Sequence, residues 1–301
     1  MMAITSTTLD ALPADPDPTP TRRKRDAGRA RRIIRHILLV VFALLMLYPL
    51  LWMVVSSFKP SNLILSQTGL IPSEVTLSNY LDGWDSLGTP FTAFLLNSGL
   101  IAVGAIVGNL FSCSVTAYAL ARLNFRANKL YFGLTLMTMM LPFHVLIIPQ
   151  YILFAELGWI NTYAPLLIPK FLATDAVFIF LMVQFIRTIP RELDHAAMLD
   201  GAGPFRIFWS VILPLMQPAL ITTTIFTFIW TWNDYFGPLL YLTKTKLYTV
   251  PVALKSLVDT ETQSGIGIMF AMSLISLVPI LLFFLFAQKY IIKGIATTGI
   301  K

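Results

Sequence analysis

Residues 86–121 carry no charged side chain at all. A stretch that long and apolar cannot lie on the outside of a water-soluble domain. As helix it exceeds the roughly 30 Å of hydrocarbon in a bilayer. Residues 37–58 form a second uncharged run. Across the chain 56% of residues are hydrophobic and 12% charged, with a mean hydropathy of +0.73, a composition foreign to soluble domains. The fold class these features predict is all-α: a polytopic membrane protein with six transmembrane helices.

The first helix covers 37–58. Its 22 uncharged positions exceed a usual signal-peptide core, and no small-residue cleavage site follows, so it is expected to be retained. The second lies within 86–121, where Gly99, Gly104 and Gly108 offer small faces for helix packing. The third covers about 130–151, with Pro142 and Pro149 placed to kink or end it. The fourth, about 163–186, carries Lys170 and Asp175. The fifth runs from about 214 to 240 and contains Trp230-Thr231-Trp232-Asn233-Asp234, and the sixth covers roughly 265–287. Four regions result: a disordered basic tail at 1–35, the first helix and an external loop at 36–90, the transmembrane domain at 91–288, and a C-terminal tail at 289–301.

Charge decides the orientation. Lys and Arg in short loops stay on the cytoplasmic side. With both termini inside, that side holds seventeen of the 22 Lys and Arg residues, leaving Lys59, Lys170, Lys244, Lys246 and Lys255. The net charge of +7 is thereby accounted for without a nucleic-acid partner. The single Cys113 implies neither disulfide nor metal site. No phosphate-binding glycine loop and no metal or triad spacing occurs, so an enzyme is not expected and no cofactor is assigned to this chain.

One polar segment interrupts the apolar pattern on the cytoplasmic side, residues 189–219. Pro190 ends a helix, Glu192 to Leu199 favours a new one, Asp200-Gly201 breaks it, and another begins near Pro204. Helix, tight turn and helix result, with Ala196, Ala197 and Ala202 as a low surface. Residues alone leave open a plain connector or a docking element.

The sequence His195-Ala196-Ala197, three residues, Gly201, then Ile212-Leu213-Pro214 resembles the signature loop of the membrane-spanning permease subunits of binding-protein-dependent ABC importers. The carbohydrate branch is similar also at Leu96-Asn97-Ser98, at 117–122, at Trp232-Asn233-Asp234, at 248–252 and at 288–294, and the MalG-type permeases are nearest. That likeness implies a type I importer fold in a prokaryotic inner membrane, working by alternating access. Its partners would be a second permease, ATP-binding subunits that hold the ATP, and an extracytoplasmic solute-binding protein.

The resemblance assigns coupling to the ATPase to Glu192, His195, Ala196, Ala197, Asp200, Gly201 and Ala202. Docking would rest on Ala196, Ala197 and Gly201. His195 departs from the family's usual Glu; either it is solvated and its role passes to Asp194 or Glu192, or the ATPase matches a neutral imidazole. Candidates for the translocation pathway are Asp175, Asn233 and Asp234. Five residues separate Lys170 from Asp175, so on an undistorted helix they face apart, Lys170 snorkelling outward and Asp175 either bonding a neighbour or bordering the pathway. Other solutes (amino acid, peptide, polyamine) and ion-coupled transport remain open alternatives.

Overall fold

The structure, a computed structural model, describes residues 22–260 and 265–298. The chain divides into two units, one ending at Trp52 and the other beginning at Met53.

Helix α1, Arg22–Ser57, contains the described residues of the first unit. Its apolar side chains from Ile33 to Leu51 are exposed, as lipid-facing residues must be. The basic residues from Arg22 to Arg35, expected in a disordered tail, are helical instead. Arg and Lys are good helix formers, and extending an existing helix costs no new nucleus. Residues 1–21 lie outside the described residues.

The second unit begins with the end of α1 and a short loop. Lys59, fully buried, gathers that loop by donating to the carbonyls of Gln67 at 2.8 Å and Gly69 at 2.6 Å. Two short helices, α2 (Ser61–Ile64) and α3 (Ser78–Asp85), follow. Asn79 of α3 ties back to the carbonyls of Ser57 and Lys59, each at 2.8 Å.

Helix α4, Phe91–Arg122, is about 48 Å long at 1.5 Å per residue. It is followed by α5 (Asn128–Met139) and α6 (Phe143–Glu156), whose axes bend by 105° at the break before Pro142. The expected third span is therefore two helices. Pro142 cannot donate a helical hydrogen bond, whereas Pro149 remains inside α6.

The fourth span is likewise divided, into α7 (Ala164–Phe171) and α8 (Ala176–Thr188). Between them Ala173 takes φ +56°. Backbone freed by such a break must find partners in a membrane. Ser112 of α4 donates to the Lys170 carbonyl at 2.7 Å, and Thr174 donates to that of Pro169 at 2.9 Å. Gly104 and Gly108 let α7 this close: a Cβ would meet Leu167 at 2.7 Å or Phe171 at 2.9 Å, whereas Gly99 faces open space.

Helix α9 (Glu192–Leu199) leads through α10 (Pro204–Ile207), a π-helical turn at Phe208–Ile212 and α11 (Leu213–Leu215) into α12 (Gln217–Trp232). The segment Pro204–Leu215 bends by 74° against α12. The fifth span thus starts before Pro214 and stops at Trp232, with α13 (Phe236–Tyr241) as a separate piece.

Helix α14, Val250–Thr260, lies between the expected fifth and sixth spans, where no helix is assigned. Val250, Ala253 and Leu257 form its buried face. Helix α15, Ile266–Thr298, takes in most of the expected C-terminal tail, and residues 299–301 lie outside the described residues. Among the described residues four segments are long and apolar enough to cross a membrane, α1, α4, α7 with α8 taken together, and α15, or six if α5–α6 and Pro204–Trp232 are each one bent span.

Two apolar cores form. One joins Cys113 to Ala121 of α4 with Phe178 to Ile186 of α8, Ile207, Phe208, Ile212 and Ala219. The other joins Phe91, Phe94 and Ala102 of α4 with Phe228 and Trp232, α14 and α15. Helices α4 and α12 contribute to both.

Candidate functional site

Pro190 stops α8 and Ile189 is extended. Glu192 and Asp194 occupy the first turn of α9, where negative charge complements the helix dipole. At the other end the Ala202 N–H donates to the Ala197 carbonyl at 2.9 Å and the Gly201 N–H to that of Met198 at 3.0 Å. Gly201 stands at φ +77°. This is a Schellman ending, and its left-handed position requires glycine or, at some cost, asparagine.

Asp194 faces inward. Its Oδ2 lies 3.2 Å from Nε of Arg122, the last residue of α4, with the two side chains 9% and 5% exposed. The same guanidinium donates through Nη2 to the carbonyls of Ile186 at 3.1 Å and Ile189 at 2.6 Å. Arg191 donates to the Ala121 carbonyl at 3.3 Å, and the Tyr118 hydroxyl donates to that of Pro204 at 3.0 Å. The eight-residue helix is thus fastened to α4 before and after its length.

This corrects the expectation for Asp194, which cannot stand in for the family's Glu at an outer surface. Glu192, His195, Ala196, Asp200 and Gly201 are exposed, whereas Ala197 and Ala202 lean on the chain's own core. Sequence reasoning missed the apolar residues that the loop presents. Leu199 is 89% exposed and Phe205 77%. Bare aliphatic and aromatic side chains beside charged neighbours were the available signal, since such patches mark contact sites.

The pathway candidates are placed apart from this loop. Lys170 Nζ meets Asp175 Oδ2 at 2.9 Å. The break between α7 and α8 turns together two residues that an unbroken helix holds apart. Asn233 donates to the Ile229 carbonyl of its own helix at 2.8 Å, and Asp234 Oδ1 accepts from the Gly237 N–H at 3.2 Å. Helix α13, whose first turn Asp234 meets through Gly237, packs on α7. A cavity of about 690 Å³ opens beside the same break, with Thr116, Tyr131, Thr135, Thr138, Gln150 and Thr174 among its lining. Thr135, Thr138 and Thr174 donate to backbone carbonyls, so they turn lone pairs rather than protons to a visiting hydroxyl.

Residues 101–296 match the family described as binding-protein-dependent transport system inner membrane component. The chain is 34% identical to the arabinooligosaccharides transport system permease protein AraQ of Halalkalibacterium halodurans, covering 86% of this chain and 92% of that one. It is 32% identical to the trehalose/maltose transport system permease protein MalG of Thermococcus litoralis, over 89% and 98%. For the sn-glycerol-3-phosphate transport system permease protein UgpE of Agrobacterium fabrum the values are 29%, 89% and 96%. Among solved structures, a chain of a bacterial ABC transporter involved in the import of the acidic polysaccharide alginate superposes with a TM-score of 0.75 and 26% identity. The match covers 91% of this chain and 99% of that one.

Proposed function

Because the chain belongs to the binding-protein-dependent transport system inner membrane components, transport permeases rather than enzymes, we propose that it forms half of a pathway for a carbohydrate solute. A separate ATP-binding subunit would drive it through residues 189–214. The observation carrying the coupling role is α9 with its flanks: a short, tightly fastened helix that leaves Leu199 and Phe205 bare. An apolar anchor among charged rim residues is what a docking surface on a second protein needs. The carbohydrate assignment rests on the relatives AraQ and MalG.

A second permease completes the pathway, and an extracytoplasmic binding protein delivers the solute. Asp175, Asn233 and Asp234 belong to the pathway side, and both termini are cytoplasmic. ATP favours one arrangement of the ATPase pair, and the permeases follow because their inward-open and outward-open states differ in how they fit that arrangement.

The test is purification of the tagged chain from its native membrane in mild detergent, with mass spectrometry of what accompanies it. The intact complex and its binding protein are then reconstituted in liposomes. An ATPase and a second permease are expected, together with ATP-dependent uptake of labelled oligosaccharide. Uptake of glycerol phosphate instead would assign the solute class of the UgpE relative, and uptake driven by an ion gradient without ATP would refute the reading.

A further inference from the structure

Coupling could pass from α9 to the membrane helices along the chain itself, backward through α8 and forward through α10. The side-chain contacts add a third route. We infer that the Arg122–Asp194 pair is the positioning contact through which movement of α9 enters α4; the inference rests on the coupling role proposed for α9.

Arg122 binds three elements at once: it terminates α4, takes two carbonyls at the end of α8, and meets the carboxylate in the first turn of α9. A planar guanidinium fixes relative orientation in a way that apolar contact does not. Asp194 Oδ1 and Arg122 Nε are both buried without a hydrogen-bond partner, so the two meet as an ion contact that is poorly compensated as a source of stability. Buried pairs of that kind are commonly matched or exceeded by apolar packing, and fixing register is their best-attested use.

What α4 would do with the movement is also laid out. It contributes to both apolar cores. Near its far end Asn97 donates to the carbonyls of Lys246 and Tyr248 at 2.9 and 3.0 Å, and the Ser98 hydroxyl accepts from the Val250 N–H at 2.9 Å. A displacement applied at Arg122 therefore reaches the start of α14 through one continuous helix.

The experiment uses the whole transporter in liposomes with its binding protein, and measures solute taken up per ATP hydrolysed. Asp194→Asn keeps the shape and removes the charge. It is expected to leave ATP hydrolysis within about twofold while uptake per ATP falls about tenfold, equivalent to about 1.4 kcal/mol of lost coupling. Asp194→Glu is expected to recover part of that ratio. A proportional loss of hydrolysis and uptake, with the ratio unchanged, would mean a purely structural pair and would overturn the inference.

A second measurement needs no weakened variant. Spin labels at the exposed positions 126 and 193, neither of them in the proposed docking contact, report whether α9 and the Arg122 end of α4 move as one. In the otherwise unaltered complex their separation is expected to be the same without nucleotide and with ATP; a change on adding ATP overturns the inference. Leu199→Arg separates the two levels of argument. If it transports normally, the coupling role of α9 itself fails; if it abolishes uptake while Asp194→Asn has no effect on the ratio, only the role of the pair fails.

Discussion

Lys170 and Asp175 would stand about 140° apart on a continuous helix at 3.6 residues per turn, yet their side chains meet at 2.9 Å. The two side chains are 29% and 25% exposed but lie inside an apolar span, where a charge left without its partner is costly and removing both is often nearly neutral. Asp175→Ala should therefore lower the yield of detergent-purified complex, and Lys170→Met combined with Asp175→Ala should restore it. If the double variant assembles but transports poorly, Asp175 has a pathway role beyond its pairing; normal transport would confine it to structure. The residues of this pair were legible in the sequence as charges inside an apolar run. Their contact was not, because it depends on the left-handed φ of Ala173, for which alanine gives no local signal. That conformation costs a non-glycine residue roughly 1–2 kcal/mol, part of which glycine returns through its freer unfolded chain. Thermal unfolding of the complex should rank Ala173→Gly equal to or above the native residue and Ala173→Val clearly below it. The opposite order would mean that the break does not need this backbone conformation.

At the scale of elements, the surface of α9 divides residues that the sequence grouped together. His195 is exposed, so His195→Ala should change uptake by less than about twofold, the scale of a surface substitution. Leu199→Arg places a charge where apolar contact is proposed, and should reduce uptake at least tenfold with membrane insertion intact; hot-spot truncations at interfaces reach that size. Ala197→Trp is no longer a clean probe of docking, since Ala197 packs on the core between α4 and α8, and it should lower the amount of assembled complex first. Uptake assays paired with quantitative blotting of membranes distinguish these outcomes. The loop's helices and its glycine stop were readable from Pro190, Gly201 and Pro204, whose backbone demands are local. Which face of α9 turns inward was not, because it is set by Arg122, distant in sequence. Helix α14 is hidden for a different reason: Lys255 and the charges around it look like a loop between spans, and its helical signal is only the apolar spacing of Val250, Ala253 and Leu257.

For the whole molecule, the number of bilayer crossings turns on whether the bent pair α5 and α6 is one broken span or a re-entrant hairpin. Apolar runs made the spans legible, but a run of given hydropathy reads the same whether it crosses or turns back. Parity resolves this. Between residue 71, in the loop before α3, and residue 199, at the end of α9, lie α4, the α5–α6 pair and the α7–α8 pair. If every one crosses, the two positions are on opposite sides; if α5–α6 turns back, they share a side. Ile71 and Leu199 are both 89% exposed, and the native Cys113 is buried, so single cysteines at 71 and 199 should label over a low background. The cytoplasmic concentration of Lys and Arg and six crossings together predict a definite pattern with a membrane-impermeant thiol reagent. Ile71→Cys should react in right-side-out vesicles and Leu199→Cys in inverted ones. Leu157→Cys, just past α6 and also exposed, should behave like position 71. Labelling of 71 and 199 from the same side would make α5–α6 re-entrant and reduce the count by one. Labelling of 199 from outside with 71 inside would invert the chain and remove α9 from any cytoplasmic ATPase.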